Sequence, residues 1–246
     1  VEFAAAAYRF GHSMVREQYD YNRVFRVGGK TPATLGLLFR FSGRSSFGNN
    51  VPIPSDWIAD WRRLFEIGRP DLVNPSRLID PYLAETLTKV PVGTGRTLHL
   101  ALRNLQRGAS LGLPTAQAIA KFLGYKVISP KEIEESGPDG LVAAQHQLHR
   151  ETPLWYYILK EAQLKGGGLR LGPLGSRIIG EVFLDLIQRA DLCFVGLIVS
   201  VLICLGYKMS SGNQTVFSWG IRVALLTFLI YGGVFWFYAE EIDAQG

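Results

Sequence analysis

The sequence predicts a mainly α-helical protein, because helix-start and helix-stop signals recur along it and no long run alternates with period two. Residues 129–132, Ser-Pro-Lys-Glu, have the spacing of a capping box with proline at the first helical position. Thr152-Pro153 offers a similar start to a helix over 154–164, and three consecutive glycines at 166–168 end it. These signals favour a helical domain over a β or α/β fold.

Other segments carry helical signals as well. An alanine-rich stretch at 2–19 has high helix propensity, and Leu98, Leu102 and Leu105 share one face of a helix predicted over 97–107, which Gly108 would close. Further helices are predicted over 56–67, after Asp80-Pro81, over 115–124 and over 174–190, whereas the glycine-, proline- and serine-rich stretch 28–54 is predicted to be a long irregular loop.

Charge is distributed unevenly along the 246 residues. The whole chain has a net charge of +5, but the stretches 192–207 and 216–238 are almost uncharged, and the second is long enough to cross a bilayer core. We therefore expect a domain at 1–190, followed by a hydrophobic tail at 191–246 that holds a two-helix transmembrane hairpin. Two buried core helices are the alternative interpretation of this tail.

The same distribution bears on partners and location. Basic residues before the tail, Arg170, Arg177 and Arg189, place the preceding domain on the cytoplasmic side of a membrane by the positive-inside rule. The net charge is too small for a nucleic-acid arm, so no nucleic-acid partner is expected. Both cysteines, Cys193 and Cys204, lie in the tail without a metal-binding spacing, which argues against a zinc site or a disulfide framework.

Among the four histidines, His12 has the most unusual surroundings. It follows four alanines and Gly11, and these small residues let a bulky group approach the helix closely. Arg9 lies one turn earlier on the same face. A neutral imidazole in such a place suits an axial ligand of haem iron, with the arginine meeting a propionate. Spacing alone does not decide in favour of this interpretation.

Three blocks of sequence resemble the animal-type haem peroxidases, the superfamily of myeloperoxidase, peroxidasin and cyclooxygenase. Residues 2–13 (EFAAAAYRFGHS) resemble its proximal-histidine helix, and 102–114 (LRNLQRGASLGLP) resemble its Asn-x-x-Arg segment before Gly-Leu-Pro. Residues 152–182 are similar to the closing helices of the catalytic domain in bacterial members. The blocks stand in the family's order, and the resemblance covers roughly residues 1–187.

The resemblance implies roles for individual residues. His12 would be the proximal ligand of haem b iron, and Asn104 would accept a hydrogen bond from its other ring nitrogen. Arg9 and Arg107 would reach the haem propionates or the hydrogen bonds beside them. Without the resemblance, Asn104 would be interpreted as a helix-surface amide and Arg107 as a basic residue that complements a helix dipole.

The resemblance also implies an activity, the reduction of hydrogen peroxide with oxidation of an organic or halide donor. In the family the distal histidine and arginine and the calcium loop precede the proximal helix, so we expect them, with any calcium, in a missing N-terminal half of the same domain. The chain alone is then the proximal half, with little activity. Ala109-Ser110-Leu111 stand where the family often has Arg-Asp-His, which fits a bacterial branch.

Two other functions remain open on the sequence. The first is a non-catalytic, membrane-anchored haem-binding or fatty-acid-oxygenase relative, which suits the missing distal half and the tail. The second is a small membrane protein whose function lies in the hairpin. In each case the lipid bilayer is an expected partner, through residues 192–238.

Overall fold

A computed structural model describes residues 1–41, 53–92 and 96–189. This part of the chain is mainly helical, as predicted. It contains a compact unit at 1–178 and the start of a second unit that begins at residue 179. The predicted hairpin at 192–238 lies outside the described residues, and no described helix combines the length and apolar character needed to cross a membrane.

The chain begins with two short helical pieces instead of the single helix predicted over 2–19. Helix α1 spans Glu2–Ala5, and a 3-10 helix spans Ala7–Met14. Ala6 ends α1 with backbone angles outside the helical region, and Val15 is extended. Tertiary packing overrides alanine propensity here, because the alanines at 5, 6 and 7 are almost completely buried.

The stretch predicted as a loop over 28–54 holds regular structure in its described part. In that stretch, strand β2 (Ala33–Thr34) pairs antiparallel with β1 (Gln18–Tyr19), which lies at the end of the predicted helix, and helix α2 follows at Leu35–Arg40. The Thr34 hydroxyl accepts a hydrogen bond from the Leu37 amide and so caps α2. Thr34 is thus a local signal for the start of a helix, but the many glycines and prolines around it favoured the prediction of a loop.

No α-helix forms over 56–67, contrary to the prediction. Asn22 holds this segment as a loop, since its side-chain amide donates to the carbonyls of Asp56 and Ile58 at 2.8 and 2.9 Å. Those carbonyls are the acceptors that a helix would have used. Asp80-Pro81 likewise starts no α-helix. The helical turns of this region are short 3-10 helices at Trp61–Arg63, Pro70–Leu72 and Glu85–Thr88.

A second hairpin and a small hydrophobic cluster precede the next helix. Strands β3 (Val90–Val92) and β4 (Arg96–Leu98) pair antiparallel, and helix α3 spans Leu100–Ser110. Leu35, Ala84 and Leu87 form a buried cluster against which Leu100 of α3 packs. This contact fixes the start of α3. Gly108 lies inside α3 and does not close it; the helix ends before Gly112, which has a positive φ of 60°.

Three helices follow, and the first two start where local signals predicted them, whereas the third was not predicted. They are α4 at Ala116–Phe122, α5 at Pro130–Glu134 and α6 at Pro138–Gln145. Thr115 caps α4. The capping box of α5 is confirmed, because Ser129 Oγ accepts from the Glu132 amide at 3.2 Å and Glu132 Oε2 accepts from the Ser129 amide at 2.9 Å.

Helix α7 (Leu154–Gly166) is the central buried helix of the unit at 1–178, with most of its first nine residues buried. It begins at Leu154 as predicted, although Pro153 occupies the cap position in place of Thr152. It ends within the predicted run of glycines, at Gly167, which has φ of 60°. Helix α8 spans 173–189. The Glu161 carboxylate accepts from the Leu174 amide at 3.0 Å, and this contact joins α7 to the start of α8.

The α5 capping box predicts a specific acid dependence of stability. Hydrogen bonds from the Ser129 backbone and then from Lys165 lower the pKa of Glu132 from 4.5 to about 2. A lowered folded-state pKa means that this stability is present above pH 4.5 and is lost as the pH falls towards 2. Urea unfolding at several pH values should therefore show Glu132→Gln less stable than the wild type at neutral pH, with the difference shrinking on acidification.

Glu134→Gln provides the control for the loss of one negative charge from α5, since Glu134 is exposed and takes no part in the box. A difference between Glu132→Gln and wild type that stays constant from pH 7 to pH 2 would contradict the role assigned to the box.

Candidate functional site

The 3-10 helix at Ala7–Met14 places Arg9 and His12 on one side of the chain. Residues three apart eclipse each other in a 3-10 helix, so the two side chains project in the same direction. The sequence predicted a shared face for the pair from α-helical spacing. The tighter winding preserves this relation, and both residues are half-buried.

Asn104 of α3 meets both residues. It is 1% exposed, and its Nδ2 lies 2.9 Å from His12 Nδ1. Its Oδ1 accepts a hydrogen bond from Arg9 Nη1 at 3.4 Å. The structure therefore brings together Arg9, His12 and Asn104, and it buries Asn104, which is the opposite of a surface amide.

The orientation of the Asn104 amide differs from the sequence-based expectation. The amide nitrogen faces His12, so here Asn104 donates and Nδ1 accepts, whereas the resemblance implied that Asn104 accepts. A half-turn of the amide exchanges its oxygen and nitrogen without moving the rest of the residue. In that second orientation Oδ1 accepts a hydrogen bond from the N–H of Nδ1, and the other ring nitrogen of the neutral imidazole, Nε2, carries no proton.

The cluster lies in a region of positive charge. Burial lowers the pKa of Arg9, and the nearby charges of Arg107 and Arg103 lower it further. Arg107 is thus close enough to Arg9 to repel it. This proximity agrees with the prediction that both arginines reach the haem propionates or the hydrogen bonds beside them. Arg103 was not predicted, although its spacing of four residues from Arg107 on α3 was a usable signal.

The same environment keeps His12 neutral. Burial lowers the pKa of the imidazole, and the charge of Arg9 lowers it further. A neutral imidazole is the form that binds iron. Within the described residues, His12 Nδ1 pairs with Asn104, and His12 Nε2 has no hydrogen-bond partner. A neutral imidazole with one unpaired ring nitrogen fits the role of an iron ligand.

The backbone beside His12 is also held. Arg9 Nε donates to the carbonyl of Ala4 at 3.0 Å, and the indole nitrogen of Trp155 donates to the carbonyl of Arg9 at 3.2 Å. Trp155 lies in the first turn of α7 and is 5% exposed. Sequence reasoning assigned it no role, because nothing local marks a contact across 146 residues.

The chain belongs to the animal haem peroxidase family, whose sequence profile matches residues 1–196. It is 29% identical over 193 residues to thyroid peroxidase of Sus scrofa, an alignment that covers 73% of this chain and 19% of that protein. It is also 27% identical over 207 residues to heme peroxidase 2 of Caenorhabditis elegans, covering 78% of this chain and 26% of that protein.

These comparisons confirm the family that the three sequence blocks indicated. Animal haem peroxidases bind haem, so membership of the family supports a peroxidase-type function for this chain at the level of the family. The chain spans about a fifth to a quarter of the length of the two relatives. The individual roles of His12, Asn104, Arg9 and Arg107 stay predictions.

The buried amide of Asn104 predicts a large effect on stability. Asn104→Leu keeps the approximate volume but removes the partner of both Arg9 and His12, leaving buried polar groups unsatisfied. We expect a loss of about 1–3 kcal/mol in the free energy of unfolding, measured with urea.

Gln106→Leu is the matched control, because it makes the same change of chemistry at an exposed position on the same helix. It should change the free energy of unfolding by less than about 0.5 kcal/mol. Equal losses in the two variants would show that the Asn104 contacts do not stabilise the site.

Proposed function

We propose that this chain provides the proximal side of a haem peroxidase site, with His12 as the axial iron ligand. The observation that carries the proposal is the meeting of His12 and Asn104 at 2.9 Å across 92 residues of sequence. A buried amide held against one ring nitrogen of a neutral histidine is the arrangement that orients a metal-bound imidazole.

Asn104 is proposed to orient the ligand. A neutral His12 ring that bound iron through Nε2 would carry its proton on Nδ1, and Asn104 would turn its oxygen towards that nitrogen to accept the hydrogen bond. The half-turn of the amide takes Oδ1 away from Arg9 Nη1, which then needs another acceptor. In that orientation of Asn104, the Arg9 guanidinium would be available to hold an anion.

The arginines are proposed to bind the haem propionates. Arg9 and Arg107 were the candidates from the sequence, and their mutual repulsion, with that of Arg103, supports an anionic partner at this place. Guanidinium groups match carboxylates through paired hydrogen bonds, and a carboxylate would neutralise part of the unfavourable charge.

The activity proposed for the whole protein is reduction of hydrogen peroxide with oxidation of an organic or halide donor. Haem b supplies the redox centre for that chemistry when it is bound. Proton transfer to the departing peroxide oxygen needs a distal base and a cation, and we propose that an N-terminal part of the same domain provides them, together with any calcium.

The test uses the longer parent protein, purified with haem. His12→Gly should remove the axial ligand, change the absorption spectrum of the haem and abolish oxidation of guaiacol. Added imidazole should restore part of both, since it can occupy the space that the side chain leaves. Asn104→Ala should retain the haem but weaken its binding about 10- to 100-fold.

His146→Gly is the control, because His146 is exposed on the turn after α6. Its spectrum and activity should match those of the wild type. A His12→Gly protein with an unaltered haem spectrum would rule out His12 as the ligand.

A further inference from the structure

Trp155 connects the buried helix α7 to the segment that carries His12. Its indole nitrogen donates to the carbonyl of Arg9 at 3.2 Å, and the side chain is 5% exposed. Helix α7 packs against the 3-10 helix at Ala7–Met14 along this contact. A buried indole N–H usually finds an acceptor, and here that acceptor is a backbone oxygen of the segment that carries His12.

The carbonyl that Trp155 contacts has a particular place in the 3-10 helix. In a 3-10 helix each carbonyl faces the amide three residues later, so the helical geometry at Ala7–Met14 directs the Arg9 carbonyl towards the amide of His12. The indole therefore contacts a backbone oxygen in the same helical turn as His12. Any movement of this turn away from α7 would lengthen the indole bond and displace the imidazole.

Helix α7 is a fixed support for this contact. The Tyr157 hydroxyl accepts from the Ile128 amide at 3.0 Å, Lys160 Nζ lies 2.6 Å from Asp139 Oδ2, and Glu161 binds the Leu174 amide. The three residues contact three different segments of the chain. Because α7 is held on several sides, Trp155 presents its N–H from a rigid base.

We propose that Trp155 is a positioning residue for His12, which sets the placement of the imidazole by fixing the Arg9 carbonyl through the indole N–H. The inference rests on the proposed function, because it assigns Trp155 to the orientation of the iron ligand. Asn104 fixes the ring from the side-chain end, and Trp155 fixes the backbone from the opposite helix. Two points of attachment define where the ligand nitrogen lies.

The experiment removes the indole N–H and keeps an aromatic side chain. Two variants do this: Trp155→Phe, and replacement of Trp155 by benzothienylalanine, which has the shape of tryptophan with sulfur in place of N–H. The second variant keeps the core packed if Trp155→Phe folds poorly. Trp57→Phe is the matched control, since Trp57 is also 5% exposed but packs against Tyr21 and Phe25.

Two measurements separate positioning from stability. The first is hydrogen exchange of the backbone amides in the chain without haem, where loss of the N–H should speed exchange within 7–14 about fivefold relative to the rest of the chain. The second is the iron–histidine stretching vibration of the haem-loaded parent protein, which should shift and broaden in both Trp155 variants. The Trp57→Phe protein should show neither change.

The outcomes are distinct. Faster exchange confined to 7–14, together with a shifted vibration, supports the proposal. Exchange that rises equally throughout the chain, or a vibration that stays at the wild-type frequency, overturns it and leaves Trp155 as a core residue. Failure of the proposed function appears separately, as an unaltered haem spectrum in His12→Gly.

Discussion

The contact between Asn104 and His12 is the constraint around which the site is arranged. It joins the N-terminal 3-10 helix to α3 across 92 residues, so both segments must be in place before the site exists. Asn104 is buried and is shared with Arg9, and an amide in that position cannot lose either partner cheaply. The site therefore depends on tertiary contacts, and the backbone of residues 7–14 does not form it alone.

Helix α7 provides the framework for this contact. Its Lys160 is 0% exposed and pairs with Asp139, whose oxygens also accept from the hydroxyls of Tyr82 and Tyr156 at 2.8 and 2.7 Å. A buried ion pair contributes little net stability, but removing one partner is costly because the other charge stays buried. The network joins α7 to Asp139 of α6 and to Tyr82, so it anchors the helix that carries Trp155.

The sequence allowed prediction of the elements whose causes are local. The α5 capping box and the Gly167 end of α7 depend on residues within one turn, and both are present. The predicted helix over 56–67 failed for a non-local reason, since Asn22 takes two of its carbonyls from 34 and 36 residues away. The pattern of apolar and polar residues in 56–67 gives no indication of that contact.

The same distinction applies to the candidate site. Family resemblance named His12, Asn104, Arg9 and Arg107, and the structure brings the first three into contact. The spacing on α3 could have added Arg103. Trp155 could not have been found from the chain order, because its function as a donor depends on how α7 meets the 3-10 helix.

The positive charge of the site favours binding of an anionic ligand to the folded protein. The contacts of the Arg9 guanidinium are with neutral oxygens of Ala4 and Asn104, which satisfy its hydrogen bonds but do not neutralise its charge. Burial and the repulsion of Arg107 and Arg103 act against that charge. A carboxylate beside these arginines relieves both costs, so a ligand that brings one binds the folded site in preference to the unfolded chain. Under the proposed function, folding of the proximal side and binding of haem would therefore be coupled, with each favouring the other.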